Sequence, residues 1–182
     1  EMARHGSGGL NASLNSHTIG APPIAALGPE WMKCKLLPEI LGGEKISALA
    51  ITEPSGGSDV ANLKTTARRE GDHYVVNGSK MFITSGMRAD YYTVAVRTGG
   101  PGAGGVSLLL IEREREGFAR TKLKKMGWWA SDTAQLFFDN VRVPVDNLIG
   151  AENKGFIGIM LNFNQERLGM SAGAWGYAKE IG

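Results

Sequence analysis

Apolar and polar positions follow three different patterns along the chain. Over residues 45–149 the apolar positions come in short runs broken by turn residues. Residues 46–52 are mostly apolar with β-branched side chains at the end, which favours a strand. Runs at 65–70 and 73–76 flank Gly71-Asp72, which predicts a hairpin. Asn77-Gly78 predicts a tight turn before another strand at 80–83. Runs at 91–96, 106–111 and 134–143 complete the set, and residues 99–105 form a flexible connection. Short strands with frequent turns predict an antiparallel barrel or a pair of packed sheets.

The two flanks have helical patterns. Gly28-Pro29-Glu30 sets a proline at a first helical position, and Trp31, Cys34 and Leu37 follow at helical spacing. Pro38 is expected to end that helix, with Gly42-Gly43 closing a short turn after it. No long helix precedes it, so residues 1–43 cannot bury a core alone. Residues 155–181 predict one long helix. Phe156, Met160, Phe163, Met170 and Ala174 share one face, and Ile157, Leu161, Leu168 and Trp175 form a second stripe. A helix apolar on two sides calls for other helices to bury it, and the chain ends before supplying them.

Composition narrows the class. The 182 residues are 42% hydrophobic and 21% charged, with a net charge of +2, ordinary for a globular protein. No run of like charge points to nucleic acid or a membrane surface. No apolar stretch reaches the roughly 18 residues of a spanning helix. The single cysteine, Cys34, excludes an internal disulfide framework and fits a reducing compartment. The 26 glycines sit in turns and form no repeat. Glu1 is not an initiator methionine, which leaves room for a targeting signal upstream.

Three segments can carry chemistry. Gly56, Gly57 and Ser58, with Thr52 at the strand end, offer hydroxyls and backbone N–H groups that suit a pyrophosphate, although the segment taken alone reads first as an ordinary turn. In residues 82–86, Phe82 can pack on a planar ring and Thr84 can bond a ring heteroatom, or the segment is a plain alternating strand. On the long helix, Arg167 falls on the apolar face and calls for an anion, while Glu166 at its edge would be partly desolvated and more basic. A structural ion pair through Arg167 with a solvated Glu166 is the competing reading. His5, His17 and His73 show no metal spacing, and no metal site is expected. Cys34 reads as a small core residue, and Lys122, Lys124 and Lys125 as a solvated strand face.

The order and spacing of the motifs are more specific than any one of them. Ala50-Ile-Thr-Glu-Pro-Ser-Gly-Gly-Ser-Asp-Val60 is followed by Asn77-Gly-Ser-Lys-Met-Phe-Ile-Thr84, Lys125-Met-Gly127, Ser131-Asp-Thr133, Phe138-Asp-Asn-Val-Arg-Val-Pro144 and Asn153-Lys-Gly-Phe156. From about Gly20 onward the chain resembles the acyl-CoA dehydrogenases. The resemblance implies an α+β fold: residues 1–43 as the tail of an N-terminal helical domain, 44–150 as the middle β domain, and 151–182 as the first helix of a truncated C-terminal helical domain. It implies FAD, with Leu49, Ile51, Thr52, Gly57, Ser58, Phe82, Ile83 and Thr84 at the cofactor. Phe82 stands where many members carry Trp. Ser58, Asn164 and Arg167 are the implied acyl-CoA contacts.

The implied reaction is α,β-dehydrogenation of an acyl-CoA thioester, in which a carboxylate takes the α proton while the β hydrogen leaves as hydride to the flavin. Most of the family places that base late in the C-terminal domain. The long-chain and isovaleryl branches resemble this chain in placing it in a Glu-Arg pair on the first C-terminal helix, here Glu166. Further implications are an electron-transfer flavoprotein as acceptor, a homotetramer when full length, and a bacterial cytoplasm or mitochondrial matrix. An acyl-CoA oxidase, a flavin monooxygenase of the same fold, and a catalytically silent β module remain as alternatives.

Overall fold

The computed structural model describes residues 8–15 and 17–181. Four helices come first: α1 (Gly8–Asn15), α2 (His17–Gly20), α3 (Pro22–Leu27) and α4 (Glu30–Leu41). Eight strands follow: β1 (Ser47–Ala50), β2 (Thr66–Glu70), β3 (His73–Thr84), β4 (Tyr91–Arg97), β5 (Val106–Glu112), β6 (Phe118–Lys122), β7 (Thr133–Pro144) and β8 (Leu148–Ile149). Helix α5 (Gly155–Ile181) ends the described chain. His5 and the side chain of His17 lie outside the described residues.

The strands make one sheet in the order β6-β7-β3-β2-β4-β5-β8, with β1 added against β4. The sheet is mainly antiparallel, as expected, but β1 runs parallel to β4 and β2 meets β4 in a parallel bridge. It is not closed, because β6 and β8 remain at its ends. It folds over instead, so that β5 touches β7 across the concave side. Tyr92, Val94, Leu109, Ile111, Leu136 and Val141 fill that side. The convex side is covered by helices: Ala95, Leu108 and Leu110 pack with Ile24, Met32, Leu36, Ile40 and Ile159. Strands β4 and β5 are therefore buried on both faces, which is why their sequences read as nearly unbroken apolar runs.

Three local expectations are corrected. Asn77-Gly78 is not a turn; both residues lie inside the continuous strand β3. The register slips there because β7 carries an extra residue opposite, and Asn77 Oδ1 accepts from Asn140 N at 2.9 Å. Gly78 is needed because a Cβ would sit 2.7 Å from Thr65 Cα and because its φ is +143°. Helix α4 continues through Pro38, and it buries Met32, Leu36 and Ile40 rather than the stripe of Trp31, Cys34 and Leu37. Cys34 is consequently exposed, donating to Glu30 Oε1. Strands β6 and β8 were not evident in the sequence because both are short and lie at the sheet ends.

Helix α5 matches its expected span, but its packed face is turned by about one residue. Gly155, Gly158, Ile159 and Asn162 are buried, with Phe156, Met160 and Phe163 packing beside them. The second stripe is open to solvent, as are Met170 and the helix surface beyond Glu166 generally.

Candidate functional site

A cleft of about 180 Å³ lies between the end of β1, the end of β3 and α5. Its walls are Leu49, Ile51, Thr52, Phe82, Ile83 and Thr84 from the sheet, Phe163 and Glu166 from α5, and Ile19 from α2. Six of the eight expected cofactor contacts and the expected base thus face one space, although up to 117 positions separate them in sequence (166 − 49).

The sheet wall is held by a buried ion pair that sequence reading missed. Lys80 Nζ lies 2.9 Å from Glu53 Oε1, and the two side chains are 0% and 3% exposed. The ammonium also donates to Ile51 O at 3.1 Å. Glu53 accepts from Lys64 N at 2.6 Å and Thr65 N at 2.8 Å. Burial raises the Glu53 pKa, but Lys80 and these hydrogen bonds outweigh it and hold the carboxyl below its ordinary range. Burial pushes Lys80 down to about 8 against the pull of Glu53. The pair brackets Thr52, whose carbonyl accepts from Met81 N at 2.8 Å. The hydroxyl-bearing end of β1 is thereby fixed against β3.

Phe82 reaches the cleft through a bulge. Between Lys80 and Ile83 strand β3 carries one residue more than β7. Phe82 takes up that excess with φ +61° and is 67% exposed. Such a backbone is unusual for a bulky side chain and clusters at functional sites. Beyond it, Thr84 pairs with Thr133 and turns its side chain into the cleft wall.

The helix wall carries the charge. Glu166 is half-buried and accepts from Asn162 Nδ2 at 2.6 Å. Burial raises its pKa, and the Asn162 bond and the nearby Arg167 only partly offset that. Arg167 itself is exposed, contrary to its expected place on the packed face. Its guanidinium lies 5.8 Å from the Phe163 ring centroid and donates to Asn164 Oδ1 at 3.3 Å. Asn164 is exposed as well.

Gly57 and Ser58 stand outside the cleft on an exposed turn. Glu53 and Gly56 close that turn with reciprocal backbone bonds of 3.1 Å. A Cβ on Gly57 would crowd Thr52 at 3.1–3.3 Å. Among the described residues no carbonyl accepts from the N–H of Gly57 or Ser58. The cleft is smaller than a typical cofactor site of ~300–1,000 Å³, so it takes part of a planar group with the rest passing over the open turn. An aromatic, aliphatic walls, two hydroxyls and free N–H groups on a turn fit a flavin dinucleotide in kind and in order. Among the described residues there is no cluster of His, Cys, Asp and Glu able to hold a metal, and no helix is long and apolar enough to cross a membrane.

The comparisons with known proteins point the same way. The family profile described as acyl-CoA dehydrogenase, middle domain, matches residues 48–141. An acyl-CoA dehydrogenase of Emericella nidulans, apdG, is 47% identical over 177 residues, covering 95% of this chain and 40% of its own length. The mitochondrial long-chain specific acyl-CoA dehydrogenase of Mus musculus is 42% identical over 172 residues, covering 92% of this chain and 40% of its own. The crystal structure of an acyl-CoA dehydrogenase from Geobacillus kaustophilus superposes with a TM-score of 0.91 at 45% identity, covering 96% of this chain and 47% of that one. The chain therefore spans less than half the length of these relatives.

Proposed function

The chain belongs to the acyl-CoA dehydrogenase family, and from that premise we propose that it is the flavin-facing part of a longer enzyme that removes the α and β hydrogens of acyl-CoA thioesters. The carrying observation is the carboxylate of Glu166 across one cleft from the hydroxyls of Thr52 and Thr84. FAD, when bound, supplies the hydride acceptor for the β hydrogen. Leu49, Ile51, Phe82 and Ile83 would pack on its ring system. Thr52 and Thr84 would bond the polar ring edge, and Gly57 and Ser58 would hold the pyrophosphate over the open turn.

Glu166 takes the α proton. A carboxylate desolvated by Phe163 and the cleft wall is a stronger base than one in water, which matches it to a weak carbon acid. The α C–H electron pair becomes the new α,β double bond and the β C–H pair leaves with the hydride, so substrate loses one proton to Glu166 and one hydride to the acceptor. Exposed Arg167 and Asn164, within two residues of Glu166 on α5, would meet the polar part of acyl-CoA, together with Ser58. The apolar stripe of Ile157, Leu161, Leu168 and Trp175 would be covered by further helices of the longer protein, in a homotetramer that passes electrons to an electron-transfer flavoprotein.

The test uses the full-length enzyme. Glu166→Gln should keep its flavin and bind acyl-CoA, yet lose on the order of 10²–10⁴ in the anaerobic rate of flavin reduction. A loss under about tenfold would move the base elsewhere. Replacing Thr52, Ser58 and Thr84 together by alanine should lower flavin occupancy, and an unchanged flavin content and spectrum would remove the cofactor assignment.

A further inference from the structure

Asn162 stands behind the base and no motif pointed to it. It sits on the packed face of α5, one turn before Glu166, and is 4% exposed. Both hydrogens of its Nδ2 have an acceptor: Glu166 Oε1 at 2.6 Å and Ile19 O, on α2, at 3.3 Å. Its Oδ1 is buried with no hydrogen-bond partner among the described residues. A side chain kept for stability alone is a poor choice for that position, because a buried acceptor without a donor is costly. Turning the amide over would set its oxygen against the Ile19 carbonyl and against the carboxylate. The Ile19 carbonyl therefore fixes which end of the amide meets Glu166.

Resting on the reading of Glu166 as the base, we infer that Asn162 is a positioning residue that holds the Glu166 carboxylate in the cleft and in its ionised form. A donor locked toward Oε1 bonds a carboxylate in either state but stabilises the charged one more. The other groups around Glu166 are Arg167 on its own helix, Thr52 and Thr84 on the sheet wall and Ile19 on α2; the cleft lining carries no second charge. Asn162 thus answers a conflict built into the site. The desolvation that makes Glu166 a useful base also drives it toward protonation, and a base already protonated accepts nothing.

The direct measurement is a carbon-13 carboxyl titration of Glu166 by NMR in the chain itself, for the parent, Asn162→Leu and Asn162→Asp. Loss of the donor in Asn162→Leu should raise the midpoint by about one pH unit or more. Asn162→Asp keeps the shape but sets a second carboxyl beside the first, and should raise it further. In the full-length enzyme the acid limb of the pH profile for flavin reduction should move the same way. An unmoved midpoint in Asn162→Asp, a rate loss uniform across pH, or failure of that variant to fold would each assign Asn162 to structure and overturn the inference. Undiminished flavin reduction by Glu166→Gln beside a shifted titration would instead remove the base reading alone, leaving the Asn162–Glu166 coupling intact.

Discussion

The two walls of the cleft are built on different principles. The sheet wall is over-determined: Thr52 is pinned by a backbone bond to Met81 and flanked by the fully buried Lys80–Glu53 pair, and Phe82 is forced out by a bulge. The helix wall is held at one end. Its packed face stops near Glu166, and Leu168 and Trp175 beyond it are 75% and 68% exposed. The sheet side thus carries groups that must stay in place to shape a planar site. On the proposed reading, the helix side carries the one lining group whose charge changes during turnover. Rigidity and titratability are separated, each in the environment that suits it.

Breaking the sheet wall should have the largest effect. Lys80→Met leaves Glu53 buried without its cation and should cost about 3–5 kcal/mol of unfolding free energy at pH 7, measured by chemical denaturation. The difference from the parent should shrink in acid. The Glu53 pKa is held below 4.5, so its contribution is complete above that pH and is lost as pH falls through the lower folded value. A gap that stays constant down to pH 3 would contradict the pairing.

The helix wall should respond with the opposite sign. The Glu166 pKa is raised above 4.5 by burial, so the folded protein holds that proton longer than the unfolded chain does. Its carboxylate costs stability that appears as pH rises from 4.5 through the folded value. Glu166→Gln should therefore stabilise the chain at pH 8, by up to about 1 kcal/mol, with the difference vanishing near pH 4. Destabilisation at pH 8 would mean that the carboxylate is structural. The smallest effect belongs to the open part of α5, where Leu168→Gln should change stability by less than about 0.5 kcal/mol. A loss of 2 kcal/mol would show that Leu168 is buried in solution.

The sequence carried much of the site and less of its support. Thr52, Phe82, Thr84 and Glu166 were legible because strand ends, small turn residues and a helical carboxylate fall in a recognisable order. Glu53 and Lys80 were not, because each looks like a solvated polar residue within its own segment, and only the fold brings positions 27 apart into contact. Asn162 left a faint signal: a polar residue in the stripe of Gly155, Gly158 and Ile159, four positions before a glutamate. The phase of α5 was read about one residue off because small and polar positions, which periodicity discounts, sit on its packed face, whereas in α4 the stripe of Met32, Leu36 and Ile40 competes with that of Trp31, Cys34 and Leu37 on spacing alone. Asn77-Gly78 misled for a related reason. The glycine answers the close approach of Thr65, a contact between separate segments that a local turn rule cannot see.

The bond from Asn162 to Glu166 spans a single helical turn, and that ties the aim of the carboxylate to the winding of α5. Successive helix positions differ by about 100° around the axis, and four of them nearly complete a circle. One residue inserted between 162 and 166, or a local widening of the helix by one residue, would swing the carboxylate about 100° away from the cleft and beyond reach of the amide. The sheet would be untouched, and so would the helix-side core if the insertion falls after Phe163. Chain length between these two residues is therefore as much a part of the candidate site as their chemistry, and an insertion or deletion between 164 and 166 would silence the proposed base while leaving the packed part of α5 in place.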